Sequence, residues 1–266
     1  MPGGMSALLL LALAGAAPAP GGVGAAMAAM ADGVAQPDAE TGTTGSVELS
    51  FANATGNTEN LTLIAKGKIE VDEGAIEHEF QGAARYAESA PLGTSDRQQT
   101  QEAAFASYQL DADLADKLFA FARTRYDYDA FSGFEHRVFA GGGLGYRIGE
   151  SEALNWTVSG GPGVRWSRLA RPDPVPEDFE REQTEFSAYA SSDIAWDVSE
   201  AVSFENESRV TYTETSTTLE NEAALKSKLT ERLSARVAYR VQHETDPVEG
   251  RRPTDTLLTA GVVLGF

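Results

Sequence analysis

From residue 44 onward, apolar and polar side chains alternate with a period of two, and no helical 3.6-residue period persists. That alternation predicts strands with one face on an apolar medium and the other on a polar one. Twelve runs carry it: 45–54, 59–71, 76–87, 98–110, 118–126, 135–148, 153–169, 184–196, 202–213, 217–229, 233–243 and 255–266. On the second run Leu61, Leu63, Ala65, Gly67, Ile69 and Val71 share a face; on the sixth, Val138, Ala140, Leu144, Tyr146 and Ile148 do. The fifth has no settled phase, because Phe119 and Phe121 oppose Tyr126. The last stretch, Thr254 to Phe266, alternates large apolar with small or polar residues, with Thr254, Leu258, Val262, Leu264 and Phe266 in phase, and ends on an aromatic residue, the pattern of a barrel-closing strand.

Twelve is an even number, as expected for a closed antiparallel transmembrane β-barrel of the outer-membrane type, an all-β fold. Counting from a periplasmic N-terminus, the inner turns fall at 72–75, 111–117, 149–152, 197–200 and 230–232 and are short. The outer loops fall at 55–58, 88–97, 127–134, 170–183, 214–216 and 244–254 and are mostly longer. Short inside and long outside is the asymmetry expected of such barrels. A soluble periplasmic β-sandwich that binds a ligand is the competing architecture. Leu114–Leu118, Val198–Val202 and Leu229–Leu233 each place an apolar pair around a turn containing an acid, which reads as a hairpin repeat.

Composition changes this picture little. Apolar content is 42% of 266 residues, and the mean hydropathy of −0.27 would suit a soluble protein; a barrel hides behind such figures because its faces alternate. The net charge of −19 argues against nucleic acid as a partner. It is read as solvated turns and an ionic interior, the sharper alternative being a lumen that disfavours anions. Cysteine is absent, which excludes disulfides and thiol chemistry. Residues 6–17 form an apolar run of signal-peptide length, and Ala29-Met30-Ala31 offers a cleavage site. Residues 1–31 are therefore expected to be a leader, although no Lys or Arg precedes Lys66, and 32–43 a polar lead-in to a barrel over 44–266.

The ninth to eleventh runs carry the interior chemistry. Val202, Phe204, Val210 and Tyr212 share one face; Ser203, Glu205, Glu207, Arg209 and Thr211 share the other. On the tenth, Glu220, Glu222, Lys226 and Lys228 oppose Leu219, Ala223, Leu225 and Leu229; on the eleventh, Ser234, Arg236, Arg240 and Gln242 align. An Arg or Lys facing lipid at the midplane costs about 2–4 kcal/mol, so these faces should point into the lumen. A hairpin centred near Thr215–Ser216 would set Arg209 opposite Glu222 and Glu205 opposite Lys226. Arg240 would flank Glu222, and Arg236 would sit near Lys226, a like-charge pair that needs another acid close by. The expectation is a luminal ionic network that plugs or lines a narrow bore.

Tyr126, Tyr128, Trp166 and Tyr212 near outer strand ends, and Tyr146, Trp156, Trp196, Phe204 and Phe266 near inner ends, suggest aromatic girdles. Candidate catalysis is confined to Asp127, Asp129, Ser132 and His136 at one outer loop, as for a rim lipid hydrolase or acyltransferase, and a capped turn explains the same residues. Gly141-Gly142-Gly143 is not a phosphate loop, since no helix follows it; small residues there let strands pack closely. Asp173, Glu177 and Asp178 in the 170–183 loop are acids that solvation accounts for, with divalent cations bridging lipopolysaccharide as the alternative. Asp38 and Glu40 read as tail rather than metal ligands, and no enzyme activity, metal or cofactor is expected.

Gly56-Asn57-Thr58, the stretch from Arg125 to Arg137 (RYDYDAFSGFEHR), Gly141 to Arg147 (GGGLGYR), Gly161 to Trp166 (GPGVRW) and the Thr254–Phe266 ending together resemble the YdiY-like family of salt-induced outer-membrane proteins, a family of unknown function. The resemblance covers roughly 44–266 and rests on the order and spacing of the motifs. It implies an exported barrel in the outer membrane of a Gram-negative bacterium and, by the family's name, an osmotic or salt response. It supplies no catalytic residues. Expected partners are outer-membrane lipid, lipopolysaccharide and the barrel-assembly machinery, the last through the C-terminal strand.

Overall fold

Every backbone ladder in this chain closes on itself. The computed structural model describes residues 42–54, 58–91, 97–151, 153–171, 179–247 and 252–266. Its strands are β1 (Thr43–Ala54), β2 (Thr58–Asp72), β3 (Ile76–Pro91), β4 (Gln98–Asp113), β5 (Leu118–Asp129), β6 (Phe134–Glu150), β7 (Leu154–Leu169), β8 (Glu182–Ser199), β9 (Val202–Thr213), β10 (Thr217–Lys228), β11 (Leu233–Glu244) and β12 (Thr254–Gly265). Each pairs antiparallel with its neighbours in sequence, and β12 pairs with β1. The result is a closed twelve-stranded antiparallel barrel, which leaves no unpaired edge. The twelve period-two runs are these strands. The leader, the lead-in up to residue 41, Asp38, Glu40, Gly56, Asn57 and the acids at 173, 177 and 178 lie outside the described residues.

Alternation sets the two faces. Phe186 (77% exposed), Leu258 (61%) and Phe51 (60%) stand on the outer surface with Leu49, Leu144, Leu225 and Val237. Such a continuous apolar band is what a bilayer-spanning barrel presents, and a soluble sandwich would bury it. The outer face also carries Asn206, Ser208 and Asn221 in mid-strand, and these satisfy one another: Asn221 Nδ2 donates to Ser208 Oγ at 2.8 Å and to Asn206 Oδ1 at 3.3 Å. On the same face Tyr126 OH meets His136 Nδ1 at 2.9 Å, and His78 Nδ1 meets Tyr108 OH at 2.9 Å.

The fifth strand's phase is now clear. Phe119 (1% exposed) and Phe121 (5%) point inward, and the tyrosines outward. Room for them comes from β6, where Gly145, Gly143 and Gly141 stand opposite Phe119, Phe121 and Arg123. A Cβ on Gly145 would lie 2.0 Å from Phe119 Cζ, so the glycines at alternate positions form a groove that takes large inward side chains. Gly145→Val should therefore displace the Phe119 ring and cost about 1–3 kcal/mol; chemical denaturation of the refolded barrel measures it, and an unchanged midpoint would refute the groove.

Two of the three repeats form the same turn. Leu114 N donates to Leu118 O at 2.8 Å and Leu229 N to Leu233 O at 2.8 Å, each with a second bond from the next residue. Val198–Val202 shares a side-chain contact with the third repeat: Ser199 Oγ accepts from Val202 N at 3.1 Å as Thr230 Oγ1 does from Leu233 N at 3.0 Å.

Candidate functional site in the barrel lumen

The register between β9 and β10 corrects one expectation. Arg209 faces Glu220, not Glu222, and Glu205 faces Ala224, not Lys226. The hairpin turns two residues earlier in the pairing because Thr213 and Ser216 close it: Thr213 N donates to Ser216 O at 2.9 Å and Ser216 N to Thr213 Oγ1 at 3.2 Å. A two-residue slip keeps every side chain on its face and changes only its partners. Lys226 still reaches Glu205 diagonally at 2.8 Å.

Between β10 and β11, Arg240 stands opposite Glu222, and Arg236 opposite Lys226. The acid that this like-charged pair needs is Glu205, which accepts from Lys226 and, at 3.4 Å, from Arg236 Nε. Arg236 is a three-way hub: its Nη1 is 3.1 Å from Glu48 Oε2 and its Nη2 is 2.9 Å from Glu222 Oε1. Lys66 from β2 meets Glu222 at 2.5 Å. Arg240 pairs with Glu220 at 2.5 Å, and Arg209 with Glu207 at 3.3 Å. Lys228 stands exposed at the turn end of β10. Sequence reading missed Lys66 and Glu48, which join this network from strands far away in the chain.

The opposite wall is aromatic. Phe119, Phe121, Phe139 and Tyr189 form a buried cluster on β5, β6 and β8. Arg123 donates to Tyr189 OH at 3.2 Å and to Gln109 Oε1 at 3.1 Å. Thus β9–β2 fill their side of the bore with ion pairs, while β5–β8 combine rings with the pairs Arg125–Asp127 and Arg165–Glu185.

Two cavities remain along the axis. One of about 820 Å³ opens towards the end that carries the start of β1, the C-terminal residue and the short turns; its lining includes Asp72, Glu77, Glu79, Asp111 and Asp113. The other, about 160 Å³, lies towards the loop end. Lys66, Phe105, Arg123, Arg125, Arg209, Glu220 and Arg240 line both, so cations dominate where the two meet, despite the acidic whole.

The rim residues do not assemble as a triad. Ser132 Oγ donates to Phe134 O at 2.7 Å within its own turn, and Asp127 is held inward by Arg125 at 2.7 Å. His136 lies on the outer face against Tyr126 and Tyr128. Among the described residues no group of His, Asp and Glu could hold a metal ion.

Fold and lumen define a closed, charge-lined twelve-stranded barrel. The chain belongs to the family described as a protein of unknown function, DUF481, whose profile matches residues 47–266; the resemblance to the YdiY-like family is compatible with this. Among solved structures it is similar to an outer membrane channel from Pseudomonas putida F1, with 11% identity over 87% of this chain and 97% of that one and a TM-score of 0.51. It is also similar to the NanC porin (9% identity, 83% and 97% coverage, TM-score 0.46) and to the translocator domain of the autotransporter NalP from Neisseria meningitidis (11%, 91% and 94%, TM-score 0.47). At these identities the likeness is one of fold. No curated protein matches the chain.

Proposed function

We propose that the protein is exported by its 1–31 leader, inserted in the outer membrane of a Gram-negative bacterium by the barrel-assembly machinery acting on β12, and works there as a narrow pore for small solutes. The observation carrying this reading is a polar, ion-lined interior inside an exterior of exposed apolar side chains. Water and ions are the natural contents of such a lumen, and lipid and lipopolysaccharide the natural surroundings of such an exterior. Where the cavities meet, Arg125, Arg209 and Arg240 keep Asp127, Glu207 and Glu220 as partners, while Arg123 has no carboxylate of its own among the described residues; this surplus positive charge favours anions over cations in passage.

Planar-bilayer recording of refolded protein in a KCl gradient tests the pore. The expected result is small discrete steps with a reversal potential shifted towards chloride. Cation preference would refute the role given to the arginines. A heat-modifiable but silent protein would favour a second reading, an envelope-stabilising barrel; its support is that Lys66–Glu222 ties β2 to β10 across three intervening strands and Arg236–Glu48 ties β11 to β1 across β12. We infer a salt or osmotic role only from the family resemblance, and growth of a deletion strain across salt concentrations tests it. A rim hydrolase or acyltransferase lacks support, since Ser132 and His136 are engaged elsewhere.

A further inference from the structure

The loop-end chamber has a peculiar inventory of hydrogen-bonding groups. Eight cations and three carboxylates line it. All three carboxylates are already engaged: Asp127 by Arg125, Glu220 by Arg240, and Asp129 by Phe131 N at 2.9 Å. Two of the cations, Arg85 and Arg123, form no ion pair among the described residues. Arg123 is only 6% exposed, and its hydrogen-bond partners are the neutral Gln109 and Tyr189.

Donors are also left over. Of eight buried side-chain atoms with no hydrogen-bond partner among the described residues, five are Arg85 Nε, Arg123 Nη2, Arg165 Nε, Arg209 Nε and Thr218 Oγ1; the others belong to Arg168, Arg181 and Ser187. All five residues line this one chamber. Arg165 is 4% exposed and Thr218 9%. Buried donors without acceptors are costly, and unpaired buried cations more so, so their convergence on one small space needs a compensating group. The missing group must accept several hydrogen bonds and carry negative charge. Guanidinium forks meet that requirement best with the oxygens of a carboxylate or phosphate. The volume of about 160 Å³ limits the guest to a few heavy atoms, roughly the bulk of a benzene ring.

We propose that the loop-end chamber is a binding site for a small oxyanion, a carboxylate or phosphate, held by Arg85, Arg123, Arg165 and Arg209 with Thr218 as a neutral donor. Binding there does not require that the bore conduct. The site lies inside the barrel at the end where β1 runs into β2 and β9 into β10. Under the pore reading it would be a station for anionic solutes; under the envelope reading, a structural anion that neutralises the chamber.

The test uses full-length refolded barrel in neutral detergent, with succinate, inorganic phosphate and the uncharged 1,4-butanediol as probes, at ionic strength matched with NaCl. Titration calorimetry and thermal unfolding should show saturable binding of succinate or phosphate and none of butanediol. The two anions' relative affinities then identify the preferred oxyanion. Arg123→Gln and Arg85→Gln should each weaken binding by tenfold or more, and Thr218→Val by a few-fold. Arg147→Gln at the turn end, a control outside the chamber, should leave binding unchanged. If Arg123→Gln does not fold, Arg85→Gln and Thr218→Val decide. Protection that persists undiminished in these variants would be a bulk salt effect and would overturn the proposal, as would absence of anion binding by the folded wild type. Saturable binding beside a silent bilayer would sink the pore and leave the site standing.

Discussion

Gly261→Val should abolish the folded barrel. Gly261 sits on β12 facing the lumen, between Arg236 of β11 and Ser50 of β1 in the ladder. A Cβ there would lie 2.2 Å from Ser50 Oγ, 2.3 Å from Leu49 O and 2.7 Å from Ser50 Cα. Two of these are backbone atoms, so no rotamer change relieves the overlap; β1 would have to move away. That seam is the weakest place for such movement. β1 and β12 share six paired positions, against eleven to fifteen at the other seams. The seam's turn end is held by Gly45 N donating to Phe266 O at 2.9 Å and Phe266 N to Gly45 O at 3.0 Å. Gly261 also leaves open the space through which Arg236 reaches past β12 to Glu48. A side chain there would therefore damage the ladder and the ionic network together. Heat-modifiable migration of refolded protein on a gel reads the outcome: a compact band for the wild type, little or none for the variant. Gly67→Val, where a Cβ meets nothing within 4 Å, should fold normally and serves as the control. Equal folding of the two variants would show that the seam tolerates a side chain.

The elements of the fold were legible in the sequence because one physical demand, apolar outside and polar inside, repeats at every second residue. Runs such as 202–213 kept their bounds in the structure. Register was not legible, because it is fixed at the turn. Whether the β9–β10 hairpin pivots on Glu214–Thr215 or Thr215–Ser216 depends on the hydroxyl of Thr213, which is buried and shared with Arg165 at 2.8 Å. Alternation also assigns faces but says nothing of who meets across the bore. Lys66 and Glu222 are 156 residues apart, and Arg236 and Glu48 188. The aromatic wall did leave a trace. Gly141, Gly143 and Gly145 remove every inward side chain from half a strand, and a neighbouring strand with inward Phe119 and Phe121 is the natural complement. The outward amides of Asn206 and Asn221 left only an interruption in the apolar pattern, too short to interpret without their shared hydrogen bonds.

Arg236→Met should be the most damaging single change in the ionic network. Arg236 is 9% exposed and joins Glu48, Glu205 and Glu222 from three strands. With Lys66 and Lys226 it balances those three carboxylates, three cations against three acids. Removing it leaves Glu48, 7% exposed, with Ser50 Oγ at 2.5 Å and a distant Lys66 at 3.9 Å. Breaking a buried pair from one side typically costs about 3–5 kcal/mol, because the surviving charge stays buried without its partner. Glu222 keeps Lys66 and Glu205 keeps Lys226, so Glu48 bears most of the loss. A second change at Glu48 should then recover part of it: Arg236→Met with Glu48→Gln should be more stable than Arg236→Met alone, with a coupling of about 1–3 kcal/mol. Arg236→Lys should fall between wild type and Arg236→Met, since an ammonium cannot fork to three carboxylates as a guanidinium does. Denaturant midpoints of refolded Arg236→Met, Glu48→Gln, the double variant and Arg236→Lys, followed by tryptophan fluorescence, give the four differences from wild type that are needed. A double variant as unstable as the sum of its two single changes would mean that Glu48 and Arg236 act independently. The contact between Arg236 and Glu48 would then be a coincidence of position, and Lys66–Glu222, Lys226–Glu205 and Arg240–Glu220 would be left to hold the wall from β9 to β2.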